Sequence, residues 1–269
     1  MRWAVAAAAV TVLSAFGSAG AVYGVERVLA QVVEAPAWLT VLVPAAGLTV
    51  SAAIRYRGGN RSGPSSIDAY MDAYHGRHYD DRQYAVRVGG AAATVAGGAG
   101  LDTTGLGVVI GTWVGDLARR WVRGTGPDLL VIGAGAGFAA ALHSPFAGGL
   151  LAVEIPFRQS VDWRRLPAAL VGSGAGYVAR STIDGFALPW STSVGVVGVR
   201  DILVALGLAV AAGVTSRAVS LLSNRAESGL GPVFSRERHH LATASVLLVL
   251  LGLLARLGFD GVPVHLGAG

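Results

Sequence analysis

Two segments of this chain set glycines and hydroxyl side chains directly ahead of a new helix, a pattern suited to holding an anion on backbone N–H groups. One runs Gly58-Gly59-Asn60-Arg61-Ser62-Gly63-Pro64-Ser65-Ser66-Ile67-Asp68, and the other runs Gly97-Gly98-Ala99-Gly100-Leu101-Asp102-Thr103-Thr104-Gly105-Leu106-Gly107. The hydroxyls are N-cap candidates and the glycines let a ligand approach the chain closely. A helix N-terminus presents unpaired N–H groups and about half a positive charge, so it attracts an anion without placing a full cation in hydrocarbon. Broken helices near the middle of a membrane are used in this way. The same spacing also fits ordinary loops with capped helices, and spacing alone leaves both readings open.

Other chemistry is thinner. Asp102 lies in an otherwise apolar stretch, where a carboxylate is expensive and functional by default; the alternative is N-capping just before Thr103 with access to water. Glu154 closes a long apolar run, either as an interfacial anchor or as a buried hydrogen-bonding residue. His143, beside Ser144 and Pro145, fits a helix break. No set of His, Asp and Glu has metal-ligand spacing, no serine sits in a nucleophile elbow, and there is no cysteine. Neither an enzyme nor a cofactor is expected. The run Leu129-Leu-Val-Ile-Gly133-Ala-Gly135-Ala-Gly137 imitates a dinucleotide fingerprint, but Phe138 occupies the position that needs Gly or Ala and the apolar run continues to Val153. Its small residues read better as close helix packing in a bilayer.

The elements that would position these residues are membrane helices. The chain has 269 residues, 53% hydrophobic and 14% charged with 39 glycines, and its mean hydropathy is +0.56, far from a soluble composition. Charge-free stretches run from Trp3 to Val25, Ala37 to Ile54, Val88 to Leu101, Leu129 to Val153 and Ile202 to Ser216. Some reach the roughly 18 to 20 residues that span a bilayer core; the shorter ones suit tilted, re-entrant or buried pieces. The pattern predicts an all-α polytopic protein with helices near 3–30, 38–55, 65–75, 84–99, 104–119, 128–142, 147–158, 164–181, 199–223 and 238–257. The first of these also fits a cleavable signal over residues 1–21, but its uncharged run to Val25 exceeds a typical signal core, so it is taken as a membrane helix.

The net charge of +5 comes entirely from arginine on the basic side. These arginines are expected in loops between apolar runs, which points to membrane topology and away from nucleic acid. The densest group, Arg55, Arg57, Arg61, Arg77, Arg82 and Arg87, places its loop in the cytoplasm, and two preceding crossings put the N-terminus there as well.

The stretch Gly133-Ala-Gly-Ala-Gly-Phe-Ala-Ala-Ala-Leu-His-Ser-Pro145-Phe-Ala-Gly148-Gly-Leu-Leu-Ala-Val-Glu154 resembles the signature of the CLC family of chloride channels and chloride/proton antiporters. Gly105-Leu-Gly-Val-Val-Ile-Gly111-Thr-Trp-Val-Gly115 resembles the helix after that family's Gly-Arg/Lys-Glu-Gly-Pro motif. Ser62-Gly63-Pro64-Ser65-Ser66 resembles its Gly-Ser-Gly-Ile-Pro-Glu segment. The three occur in family order.

The resemblance implies a fold of inverted repeats in which anions sit where helix N-termini converge. Ser62 and Gly63 would serve the central site, and Thr103, Thr104, Gly105 and Leu106 the outer one. It also implies a homodimer carrying chloride or a similar monovalent anion across a lipid bilayer, here the inner membrane of a prokaryote. The family's gating glutamate falls at Thr104, the basic residue before it at Thr103, and the internal proton-relay glutamate at Ile155, one residue after Glu154. A passive pathway without proton coupling is therefore expected, since threonine carries no titratable charge. Residues 1–269 are expected to form a single domain resembling the first half of the family fold, with the second repeat largely missing. The alternative function is a truncated or degenerate homologue that inserts and dimerises without conducting.

Overall fold

A computed structural model describes residues 2–58, 66–77, 79–98, 103–122, 126–157, 160–185, 199–230 and 249. Among the described residues the chain is helical and has no strand: α1 (Arg2–Val33), α2 (Ala37–Arg57), α3 (Ser66–Tyr74), α4 (Asp81–Ala96), α5 (Thr104–Trp121), α6 (Asp128–Leu142), α7 (Pro145–Glu154), α8 (Leu166–Asp184) and α9 (Val199–Leu230). The expected helix over 238–257 lies outside the described residues apart from Val249. Helices α1 to α8 belong to one compact unit and α9 to a second, Leu188–Thr243. In α9 an apolar stretch runs Ile202–Arg217.

Two helices are long and apolar enough to cross a membrane, over Arg2–Val32 and Trp38–Arg57. Others are short, and the sequence shows why. Helix α6 ends where His143 takes a left-handed conformation, φ 52° and ψ 31°. Ser144 is then extended, its Oγ accepts the Ala147 N–H at 3.3 Å, and Pro145 opens α7. A left-handed cap followed by a serine N-cap and proline reverses the chain with few backbone groups left unpaired. The preceding apolar run is thereby cut into two pieces.

The interior is built from glycine contacts. Along α5 the glycines recur every fourth residue, at 107, 111 and 115, and they meet α6 in antiparallel order. A Cβ on Gly107 would lie 2.5 Å from the Gly137 carbonyl oxygen, one on Gly111 2.0 Å from that of Gly133, and one on Gly115 2.5 Å from that of Leu129. On the other side of α6, a Cβ on Gly172 or Gly176 of α8 would lie 2.0 Å from the Ile132 carbonyl oxygen or 2.2 Å from that of Ala136, in parallel order. Lipid tails are as apolar as leucine, so helices in a bilayer gain by bringing backbones close rather than by burying oil. Helix α1 joins the same centre: Ser18 Oγ donates to the Gly107 carbonyl at 2.9 Å, and Ser14 Oγ reaches the Gly111 carbonyl at 3.5 Å.

These contacts sort the helix ends. The starts of α1, α4, α6 and α8 lie with the ends of α2, α3, α5 and α7 on one side, and the α5 N-terminus lies on the other. Three expectations need correction. Helix α4 begins at Asp81, three residues before the expected start, because Asp80 and Gln83 form a reciprocal capping box. Helix α7 stops at Glu154, and 155–156 form a turn instead of continuing to 158. The arginines are not confined to loops: Arg87, Arg119, Arg120 and Arg180 are helical. Arg87 and Arg180 are 3% and 2% exposed, tolerated inside because the first stands 4.5 Å over the Tyr79 ring and the second pairs with Glu26 and Asp184.

Candidate functional site

Helix α5 carries the better-defined of the two glycine segments. Its N-cap is Thr103, with φ −71° and ψ −11°, and the Gly107 N–H donates to the Thr103 carbonyl at 3.1 Å. The residue at the N-cap position is Thr103, and Asp102, for which N-capping was one of two expectations, lies outside the described residues. The Thr103 side chain makes no capping hydrogen bond, and no acidic residue stands in the first turn of α5. The positive end of the helix is thus not neutralised by a carboxylate of its own first turn.

This end is set inside the protein. Thr103 is 8% exposed and Leu106 1%, while Thr104 and Gly105 are half-buried. Leu106 packs with Val25 of α1 and Val95 of α4. The N-terminus of α5 is therefore set between α1 and α4. Desolvated backbone dipoles act more strongly there than at a surface.

The second segment is not described: Ser62 and Gly63 lie outside the described residues, and α3 begins at Ser66. Helix α3 is nine residues long, too short to be stable through its own hydrogen bonds. It is held by side chains instead. Tyr70, fully buried, donates to the Ala152 carbonyl of α7 and meets Phe138 of α6 edge-on at 6.5 Å. Tyr74 donates to Asp162 at 2.7 Å and accepts from Arg165 at 3.0 Å. Arg165 also binds Asp162 and reaches Asp128 at 2.7 Å. Burial acts to raise the Asp162 carboxyl, but the bonds from Tyr74 and Arg165 and the arginine's charge outweigh it and hold the group below its ordinary value. Sequence reasoning passed over this network. Its short spacing, Asp162 to Arg165, is visible in the chain, but the reach to Tyr74 and Asp128 is not.

Glu154 is the last residue of α7 and is exposed, and its carbonyl accepts the Phe157 N–H at 3.0 Å. Ile155 follows as the C-cap, half-buried against the cluster containing Tyr70, Phe138 and Val153. His143 Nε2 lies 3.3 Å from Asp184. Among the described residues no group of three or more His, Asp and Glu is arranged to hold a metal ion.

Glycine-packed helices, two of them long and apolar enough to span a bilayer, with helix breaks inside the bundle, define a polytopic α-helical membrane protein. The family model for the voltage gated chloride channel matches residues 46–264, and the chain belongs to that family, the CLC family. In fold it is similar to the crystal structure of a slow cyanobacterial Cl⁻/H⁺ antiporter, with a TM-score of 0.74 at 20% identity over 95% of this chain. The match covers 64% of that antiporter's chain, so this chain spans less than two thirds of its length. No curated protein matches in sequence.

Proposed function

We propose that this chain provides a passive transmembrane pathway for chloride or a similar monovalent anion, without proton coupling. The observation that carries the reading is the buried N-terminus of α5, which bears Thr103 and Thr104 and no carboxylate in its first turn. An anion there meets backbone N–H groups and the helix dipole, with no competing negative side chain at residue 104. Ser62 and Gly63 would contribute the central site, with Thr103, Thr104, Gly105 and Leu106 at the outer one. Ile155, an aliphatic residue at the position of the internal glutamate, supports the absence of proton transfer. The neighbouring structure is an antiporter, and both departures separate this chain from such coupling.

The chain is proposed to act as a homodimer of single transmembrane domains in the inner membrane of a prokaryote. Its orientation follows from the arginines. Arg2, Arg55, Arg57, Arg77, Arg82, Arg119, Arg120 and Arg165 gather at the end where α5 finishes. Contacts such as Arg82 to the Arg57 carbonyl at 3.2 Å and Arg119 to the Ala73 carbonyl at 3.1 Å mark this end. Arg27 and Arg180 lie at the other. Positive-inside bias then puts the N-terminus and the α5 C-terminus in the cytoplasm and Thr104 toward the outside.

A second reading is that the chain inserts and assembles without conducting alone. One experiment separates them: chloride efflux from liposomes containing the purified chain, with proton movement followed in the same sample. Chloride flux without protons supports the passive pathway. Folded, inserted protein without flux supports the second reading, and proton flux in fixed ratio to chloride overturns the uncoupled one.

A further inference from the structure

Helix α2 measures out the bilayer. Its apolar span Trp38–Arg57 has 20 residues, which at 1.5 Å per residue is about 30 Å, the thickness of the hydrocarbon core. Trp38 therefore marks one interface, and Arg55, Tyr56 and Arg57 stand at headgroup depth at the other. Trp38, Leu42, Thr49 and Tyr56 share one exposed face, so the helix meets lipid along its length. The opposite face, with Pro44 and Ser51 buried, packs on α4, where a Cβ on Gly47 would lie 2.7 Å from the Gly97 Cα.

At the end of this helix α4 brings further arginines. Arg82 Nη2 donates to the Arg57 carbonyl at 3.2 Å, which seats its guanidinium beside the last turn of α2. The stem of Arg55 lies along α4: a Cβ on Gly90 would stand 3.5 Å from its Cγ. Arg87, 3% exposed, is close enough to Arg55 for the two like charges to act on each other. Among the described residues Arg55, Arg57 and Arg82 have no ion pair, and the carboxylates of the α3–α4 corner are engaged elsewhere. Asp72 holds Arg77 at 3.1 Å and accepts from Tyr79, Asp80 caps α4, and Asp81 holds Arg120 at 3.2 Å and Trp113 at 3.0 Å. The C-terminus of α2 offers about half a negative charge, too little to balance three guanidinium groups.

We propose that Arg55, Arg57 and Arg82 form a binding site for the phosphate of an anionic phospholipid, with Tyr56 beside it at the interface. Basic groups between membrane helices at headgroup depth attract such lipids, and guanidinium forks pair with two phosphate oxygens at once. The acyl chains then run along α2 past Val50, Thr49 and Leu42. The leaflet is the cytoplasmic one in the orientation proposed above, and binding does not require that the chain conduct.

The test measures phosphatidylglycerol bound to the purified full chain in neutral detergent by native mass spectrometry, with phosphatidylcholine and inorganic phosphate as parallel arms. The wild type should retain phosphatidylglycerol in preference to phosphatidylcholine. Arg57 and Arg82 are exposed, so Arg57→Gln and Arg82→Gln leave the packed interior intact. Each should weaken phosphatidylglycerol binding about fivefold, the factor that one arginine contributes near an anionic surface. Arg164→Gln removes the same charge from an exposed position ahead of α8 and should leave binding within about twofold. Equal weakening by all three substitutions would mean that net charge alone attracts the lipid, and no weakening at 57 and 82 would place the lipid elsewhere; either result overturns the proposal. Equal retention of phosphatidylcholine, or displacement of phosphatidylglycerol by inorganic phosphate at the same concentration, overturns it too, the latter by identifying a free-phosphate site.

Discussion

The two ends of α5 solve the membrane problem in opposite ways. From Thr104 to Gly115 the helix meets α6 and α1 through glycine backbones and serine hydroxyls, and Trp113 near the end of this stretch reaches Asp81 of α4. From Asp116 to Arg120 it is held by an ion pair to α4 and by arginine hydrogen bonds to carbonyls of α3 and of the α3–α4 connection. Close backbone contact supplies dispersion and fixes a separation that admits no other side chain. The charged end supplies directional bonds that specify which elements dock. The difference teaches that the first turn of α5, proposed to meet the anion, carries no carboxylate, and the helix's own charges are kept at its other end.

The largest effect is expected from breaking the glycine contact. A Cβ on Gly111 would stand 2.0 Å from the Gly133 carbonyl oxygen, and backbone on both sides leaves nothing flexible to move. Gly111→Val should cost well beyond the roughly 1 to 3 kcal/mol of ordinary overpacking and abolish the folded protein. Monodispersity in detergent and the unfolding temperature measure it. A stable, correctly folded Gly111→Val chain would show that the α5 to α6 approach is wrong.

Next comes a charge placed in the first turn of α5. Thr104→Glu puts a carboxylate in the first turn of α5, where it competes with the anion for the same N–H groups. Efflux at neutral pH should fall by about tenfold, the factor that 1.4 kcal/mol of repulsion gives. A glutamate carboxyl is charged at neutral pH and loses that charge on protonation, so flux should recover on acidification, while the wild type shows no such step. Flux that is pH-independent and undiminished would remove Thr104 from the pathway.

A smaller effect is expected where polar groups hold α3. Tyr74→Phe keeps the ring but removes the bond to Asp162 and the acceptor for Arg165, at a cost of about 1 kcal/mol. The pH dependence has a definite sign. A carboxyl held below its ordinary value contributes stability that is fully present above 3.8 and is lost as pH falls through the depressed value. Acid unfolding scans should show this loss in the wild type and a flatter profile in Asp162→Asn. Identical profiles would mean that the Asp162 network holds nothing.

Much of this was legible in the chain. The helix break at 143–145 is written in serine and proline, and the expected helices over 104–119 and 128–142 correspond closely to α5 and α6. The Asp80 and Gln83 capping box was also present as a spacing, but the apolar pattern starting at Tyr84 drew the expected boundary inward. What could not be read were partners far along the chain. Asp116, Arg119 and Arg120 are neighbours on a helix turn, yet their targets at Ala73, Tyr79 and Asp81 lie 35 or more residues upstream and depend on α3 returning to the side of α5. Of the candidate site, Thr103 to Leu106 was readable as a helix N-terminus. Its burial was not, because that depends on α1 and α4 closing around it.

The smallest effect sharpens the comparison from the other side. Gly20 and Gly24 lie on α1, in the same bundle as the glycines of α5, but a Cβ on either meets nothing within 4 Å. If glycine content alone made this bundle fragile, Gly20→Ala would hurt it as Gly111→Val does. If contact decides, the alanine should be neutral or slightly stabilising, because glycine in a helix interior costs up to about 1 kcal/mol relative to alanine. Gly17 offers an intermediate: its Cβ would sit 3.5 Å from a methyl of Ile110, an ordinary contact, and Gly17→Ala should also be tolerated. Unfolding temperatures for the three variants should therefore separate into one collapse and two near-wild-type values. A marked loss at Gly20 would mean that a partner, lipid or protein, approaches α1 there.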